Sequence, residues 1–313
     1  SWGVGHSWLP RLRDFHRQTR ARNNVLLNRL APLLAALQAD GIPTLVLKGA
    51  ALATLYHRSL ALRPMNDVDI LVPTRHRDRA RAVLAAHGWT PMLNLPPSYL
   101  PCIHGLGYRE PGGGEVDLHW HVLWECCQPD ADDAFWERAI PLQTAAFDAL
   151  ALDPTDQLFH VCVHGLRWNA PPPIHWVADA IAILRSQDVN IEWDRLCAEA
   201  SSRRLTMQAG AALSFLRKQF RAPVPSGIIE RLANAPRPLG ERVEFRLRQL
   251  PPALTRGLVL HWFDHSRRAG HAGAVQRMRG FPDYLQSAWG VRHLWQLPIA
   301  GLRKVVARLA ARS

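Results

Sequence analysis

Seven residues set the tightest limit on the fold. Asp67-Val68-Asp69-Ile70-Leu71-Val72-Pro73 alternates acidic and apolar residues, then runs wholly apolar, then stops at proline. The alternation has the two-residue period of a strand, and proline, which cannot donate to a ladder, closes it. This strand starts with one polar face. Residues i and i+2 of a strand share a face, so the Asp67 and Asp69 carboxylates lie side by side, with Cα atoms about 7 Å apart, while Val68 and Ile70 face the core.

The rest of the chain divides around residue 150. Residues 11–39 predict a long helix with an apolar stripe at Val25, Leu26, Leu30, Leu33, Leu34 and Leu37, ended by Gly41 and Pro43. Thr44–Leu47 reads as a short strand and Ala50–His57 as a helix. Residues 75–87 read as a helix closed by Gly88. Ile103–Arg109 and Glu115–Leu123 flank Glu110-Pro111-Gly112-Gly113-Gly114, which predicts a β-hairpin. Beyond Pro154 the strand signals fade. Helical patterns follow over 155–168, 174–186, 192–201, 204–220 and 226–235 and on to the end, with Pro171-Pro172-Pro173 as a spacer. The expectation is α+β: a mixed sheet with flanking helices over residues 1–150, and a basic helical domain over 151–313.

Composition narrows the class. A chain of 313 residues, 48% apolar and 20% charged, is globular and long enough for about two domains. No apolar run reaches the roughly 18 residues of a transmembrane helix. Ser1–His6 show no basic stretch leading into an apolar one, so no secretory signal is expected. The five cysteines are odd in number, two of them adjacent, with no C-x-x-C. That argues against a disulfide framework or structural zinc and for a reducing, cytoplasmic setting. Net charge is +12, and residues 200–313 hold 20 Lys/Arg against five Asp/Glu. Arg203, Arg204, Arg217, Lys218, Arg242, Arg246, Arg248, Arg267, Arg268, Arg277 and Arg279 are spread over several helices. A GC-rich genome or a surface for polyanions explains them equally. Trp262, Trp289 and Trp295 fit helix packing or base stacking. Residues 298–313 form a basic amphipathic pattern (Leu302, Val305, Val306, Leu309) that suits a solvated face, an anionic lipid or a partner.

Chemistry concentrates on three segments. Two adjacent carboxylates at a strand start repel unless a cation neutralises them, and all-oxygen ligands suit Mg²⁺ or Mn²⁺. Glu115-Val116-Asp117-Leu118-His119-Trp120-His121 supplies a third carboxylate. By alternation Asp117, His119 and His121 share one face. Upstream, Leu47-Lys48-Gly49-Ala50 runs from strand through glycine into helix, a shape that brings backbone N–H groups to a phosphate. Lys48 is either a phosphate contact or a capping lysine. Arg63 is either another phosphate contact or an ion-pair partner of Asp67. His119 and His121 suit general bases, zinc ligands or pocket residues paired with the carboxylates. His160 and His164 have helical i, i+4 spacing but lack a zincin glutamate, and read as core packing.

Together, Leu47–Ala50, Tyr56, Arg63-Pro64-Met65-Asn66-Asp67-Val68-Asp69-Ile70-Leu71-Val72, Val116–Trp120, Gln157–Arg167 and Trp176–Ile181 resemble the uncharacterised nucleotidyltransferase family of the DNA polymerase beta-type superfamily. The resemblance covers about residues 40–190. It implies that Asp67, Asp69 and Asp117 bind metal and carry catalysis, and that Lys48, Gly49, Ala50 and Arg63 bind nucleotide. It also implies that Tyr56, His119 and His121 lie in the pocket. The superfamily's turn has Gly-Ser where this chain has Gly49-Ala50, which removes one hydroxyl contact to phosphate. The expected activity is Mg²⁺- or Mn²⁺-dependent transfer of a nucleoside monophosphate from an NTP, such as ATP, to a small-molecule, peptide or protein acceptor, with pyrophosphate release. The expected setting is a bacterial biosynthetic cluster for peptide tailoring or glycan assembly. The alternative is an inactive protein of the same fold that binds nucleic acid or an acidic partner through its basic half.

Overall fold

A computed structural model describes residues 8–57, 59–166, 174–250, 254–270 and 272–310. Ser1–His6, Arg167, Pro171–Pro173 and Arg312 lie outside the described residues. The element order is α1 (Leu9–Ala39), β1 (Leu45–Leu47), α2 (Lys48–Leu55), β2 (Val68–Leu71), α3 (Arg77–Ala86), β3 (Thr90–Pro91), β4 (Gly105–Arg109), β5 (Glu115–His119), α4 (Asp133–Glu137), β6 (Ile140–Gln143) and β7 (Asp148–Ala151). Helices α5 (Pro154–Gly165), α6 (His175–Leu184), α7 (Trp193–Ser202), α8 (Thr206–Phe220) and α9 (Ser226–Asn234) follow. The last are α10 (Leu239–Arg248), α11 (Leu254–Arg268), α12 (Ala274–Trp289) and α13 (Leu297–Ala310).

The seven strands form one mixed sheet in the order β3-β4-β5-β2-β1-β7-β6. β2 runs antiparallel to β1 and parallel to β5, and β7 runs parallel to β1. Every residue of β1 and β2 is buried, as a central strand covered on both faces requires. One face carries Val46, Val68, Ile70 and Leu118 against Leu30 and Leu34 of α1 and Leu84 of α3. The other carries Leu45, Leu47 and Leu71 against Phe159 and Cys162 of α5, Ile183 of α6 and Leu213 of α8. This second core therefore draws residues from both sides of residue 150.

Local chemistry explains most boundaries. Asp153 caps α5, accepting from Thr155 N (2.8 Å) and Asp156 N (3.3 Å), with Pro154 at the first helical position. In α1 the buried stripe is Leu27, Leu30, Leu33, Leu34 and Leu37, while Val25 points outward. Buried Asn23 extends that face, its Nδ2 donating to Leu60 O (2.5 Å) and Arg63 O (2.8 Å) and pinning the loop before β2. The β6–β7 hairpin lies where no strand is expected from sequence. Pro141 breaks its alternation, and Gln143 and Asp148 are exposed polar ends.

Candidate active site

The register of four strands builds the site. Leu47 of β1 lies opposite Asp69 of β2, Asp69 opposite Asp117 of β5, and Asp117 opposite Gly107 of β4. One pleat along, Leu71 pairs with His119, and His119 with Gly105. Paired residues share a face, so Asp69, Asp117 and His119 converge on the helical side of the sheet, where Leu47 and Leu71 enter the core. Their ligand atoms all lie within 4.8 Å of one another. The two glycines keep the next strand low. A Cβ on Gly107 would stand 3.0 Å from Asp117 Oδ1, and one on Gly105 would stand 2.9 Å from His119 Nδ1. Asp67 precedes β2 and falls outside this cluster of ligand atoms, although its charge is felt by Asp117 and it feels that of Asp69.

Lys48 enters from β1. The chain passes from extended Leu47 straight into α2, and Lys48 makes the turn in the left-handed region at φ +45°. That conformation is strained for a side chain other than glycine, and such strain concentrates at functional sites. Lys48 Nζ donates to Asp69 Oδ1 at 2.6 Å, and His119 Nε2 lies 2.9 Å from the same oxygen. Burial alone would raise the Asp69 carboxyl. The Lys48 charge and the His119 hydrogen bond outweigh it and hold the group well below the ordinary carboxylate range. Asp117 moves the other way, pushed up to about 6 by burial and then by the charges of Asp69 and Asp67. Asp67 is also raised, by burial and then by Asp69. The cluster's two carboxylates, with Asp67 nearby, thus face one lysine, and the site is short of positive charge. Two carboxylate oxygens and an imidazole nitrogen fit Mn²⁺ or Mg²⁺, with the nitrogen favouring Mn²⁺.

Gly49 lies in the first turn of α2, where a Cβ would stand 2.9 Å from Met65 Cγ. Its bareness thus serves packing, and Ala50 beside it is buried. No side chain caps the start of α2. Arg63 does not pair with Asp67. Its Nε donates to both oxygens of Asp179 on α6 (2.9 and 3.0 Å), and His57 Nε2 lies 3.0 Å from Asp179 Oδ1. Lys48, Arg63, His160, His164, His175 and Asp179 wall a cavity of about 110 Å³. His160 is buried as expected, while His164 opens onto this cavity. A larger cavity, about 380 Å³, lies between α1, α2 and the β6–β7 turn and has no acidic residue in its walls.

Two pocket candidates lie elsewhere. Tyr56 packs against the helical core, and burial followed by the charge of Asp153 raises its phenol. His121 leaves the site face because Trp120 N and His121 N both donate to His104 O, a bulge that breaks the alternation after His119. Its Nδ1 instead lies 2.7 Å from Asp132 Oδ2. Sequence reasoning overlooked Asp179, whose signal was its place inside Trp176–Ile181. It also overlooked His104, whose ring meets His119 edge-on at 4.8 Å.

The basic half is also partly turned inward. Arg267 donates to both oxygens of Glu244 (3.1 and 3.0 Å) and to Arg203 O (2.6 Å). Arg248 pairs with Glu244 (2.8 Å) and Asp264 (2.6 Å), and Arg203 with Glu199 (2.8 Å). These three arginines are internal ion pairs and not an open polyanion surface. Trp262 packs on Phe281, and Trp289 on His261 and Lys304, while Trp295 stands exposed. On α13, Leu302 and Val306 face outward. Among the described residues, no helix is long and apolar enough to cross a membrane.

Comparison with known proteins adds a family. The uncharacterised nucleotidyltransferase family matches residues 4–221. No curated protein matches the chain. Among solved structures, the antibiotic-resistance factor ANT(2'')-Ia is 13% identical, with 64% of this chain and 95% of that one covered and a TM-score of 0.39. The lincosamide antibiotic adenylyltransferase LnuA, bound to lincomycin, is 12% identical, with 49% and 93% covered and a TM-score of 0.35. An antigenic nucleotidyltransferase-like protein from Paracoccidioides brasiliensis is 15% identical, with 66% and 92% covered and a TM-score of 0.41. At these scores the structural likenesses carry no argument, whereas the family match spans most of the chain. The chain belongs to the uncharacterised nucleotidyltransferase family.

Proposed function

We propose that this protein moves a nucleoside monophosphate from an NTP to an acceptor. The acceptor's oxygen or nitrogen attacks the α-phosphorus, and the bond to the bridging oxygen breaks. Pyrophosphate leaves with that oxygen. The observation that carries the reading is the convergence of Asp69, Asp117 and His119 within 4.8 Å, beside a strand stripped of side chains at Gly105 and Gly107. In this reading Asp69 and Asp117 hold a divalent cation with His119, and Asp67 adds charge at its edge. A bound Mg²⁺ or Mn²⁺ would supply Lewis-acid stabilisation of the phosphate oxygens. Lys48, Gly49 and Ala50, at the uncapped start of α2, receive the triphosphate. Arg63, fixed by Asp179, forms the wall behind it. Burial and the neighbouring carboxylates raise the Asp117 carboxyl in the metal-free protein, and a bound divalent cation would hold it as the carboxylate that can take the acceptor's proton.

The test uses NTPs labelled at the α- or the γ-phosphate, with Mn²⁺ and an extract of small metabolites and peptides. Label from the α position alone should enter a product, and Asp69→Asn and Asp117→Asn should abolish it. Transfer of the γ label instead, or undiminished transfer by both variants, overturns the proposal.

A further inference from the structure

We propose that Lys48 is a resident counter-cation that competes with divalent metal for Asp69. The inference rests on the metal reading above and adds an antagonist to it. Three observations carry it. First, the ammonium already sits 2.6 Å from Asp69 Oδ1, the oxygen that also meets His119. Second, the strands fix Asp69 and Asp117 directly opposite each other, so any ion shared by the two carboxylates lies next to that ammonium. A divalent ion and an ammonium on one carboxylate repel each other, and screening by water is reduced at Asp69, which is only 5% exposed. Third, Lys48 holds its place at a backbone cost, with φ +45° at the junction of β1 and α2. A lysine kept in a strained turn, where glycine would be unstrained, points to a task for its side chain.

The surroundings give the side chain somewhere to go. Lys48 also borders the cavity walled by Arg63, His160, His164, His175 and Asp179. Metal arriving at Asp69 and Asp117 would send the ammonium there, beside Arg63 and its partner Asp179. Lys48 would then be a positioning residue with two stations. On Asp69 it stabilises the metal-free protein, and in the cavity it adds charge for the phosphate groups that arrive with the metal.

The experiment measures Mn²⁺ binding to the full chain without nucleotide, by the electron paramagnetic resonance signal of the free ion. Lys48→Met and Lys48→Gly should both bind Mn²⁺ about tenfold tighter or more than wild type. Lys48→Gly also removes the strained turn, so a folding defect cannot hide the effect. Lys48→Arg, which keeps the cation, should show no such gain. A structural role for Lys48 predicts weaker binding on its removal, never tighter. If wild type binds Mn²⁺ through Asp69, as shown by its loss in Asp69→Asn, and neither variant binds more tightly, the role of Lys48 is overturned while the metal reading stands. If no protein in the set binds Mn²⁺, both are overturned.

Discussion

Asp179 is the joint that connects the helical half to the site. It lies on α6, 3% exposed, and receives Arg63 from the loop before β2 and His57 from beyond α2. Three contacts at 2.9–3.0 Å converge on one carboxylate. Removing one partner of a buried pair leaves the other charge stranded, at a cost of about 3–5 kcal/mol. Arg63 keeps one further bond, to Pro64 O (2.7 Å), and little water. Asp179→Ala should therefore lose about 3–5 kcal/mol in urea unfolding followed by tryptophan fluorescence. The decisive arm is the double variant. If the cost comes from a stranded guanidinium, Arg63→Met added to Asp179→Ala should lose about 2 kcal/mol less than the sum of the single changes. A loss under about 1 kcal/mol for Asp179→Ala, or additivity within about 0.5 kcal/mol, refutes the account.

Further outcomes follow from the same geometry. The Asp117 carboxyl rises in the folded state from its ordinary 3.8 to about 6, so its contribution is full below about 3.8 and is lost as pH rises through about 6. Asp117→Asn does not titrate. In metal-free buffer it should exceed wild type by up to about 3 kcal/mol at pH 8 and match it near pH 4, and equal stabilities at pH 8 would contradict this. His121→Gln, which breaks the pair with Asp132, should cost about 1–3 kcal/mol and leave Mn²⁺ affinity unchanged, whereas His119→Gln should weaken Mn²⁺ binding. The two effects exchanged would show that the bulge is misplaced. Arg267→Met, which takes one of two guanidinium partners from buried Glu244 and leaves Arg248 on it, should lower stability by about 1–3 kcal/mol in thermal and urea unfolding. A fully stable variant would return Arg267 to the surface.

The parts legible in the sequence are those set by local rules. The acidic strand, the Gly-rich hairpin and the Asp153–Pro154 helix start each carry their cause within a few residues. Periodicity also brought Asp117 and His119 to one face. It failed two residues later, because the bulge at Trp120 depends on where His104 O lies across the hairpin. It also put Asp67 level with Asp69, while the cluster took His119 as its third member through the parallel pairing of β2 with β5, a partnership no local pattern encodes. The arginines were unreadable for a similar reason. Glu244 pairs with Arg248 at i, i+4 spacing within α10, but only the packing of α10 against α11 turns Arg267 onto it. The partner of Arg63 was equally distant, on a helix in the other half of the chain.

The parallel pairing of β1 with β7 imposes an order on synthesis. β2 covers one edge of β1, but on the other edge Leu45 meets its partner only at Leu150 and Val46 only at Ala151. At about 5–20 residues per second, the apolar edge Leu45-Val46-Leu47 waits roughly 5–20 s on the ribosome for the strand that covers it. A nascent chain halted before β6 exposes that edge beside a finished β2, ready to pair with another chain, so heterologous expression of this protein should reward chaperone supply and suffer from pauses between β2 and β7.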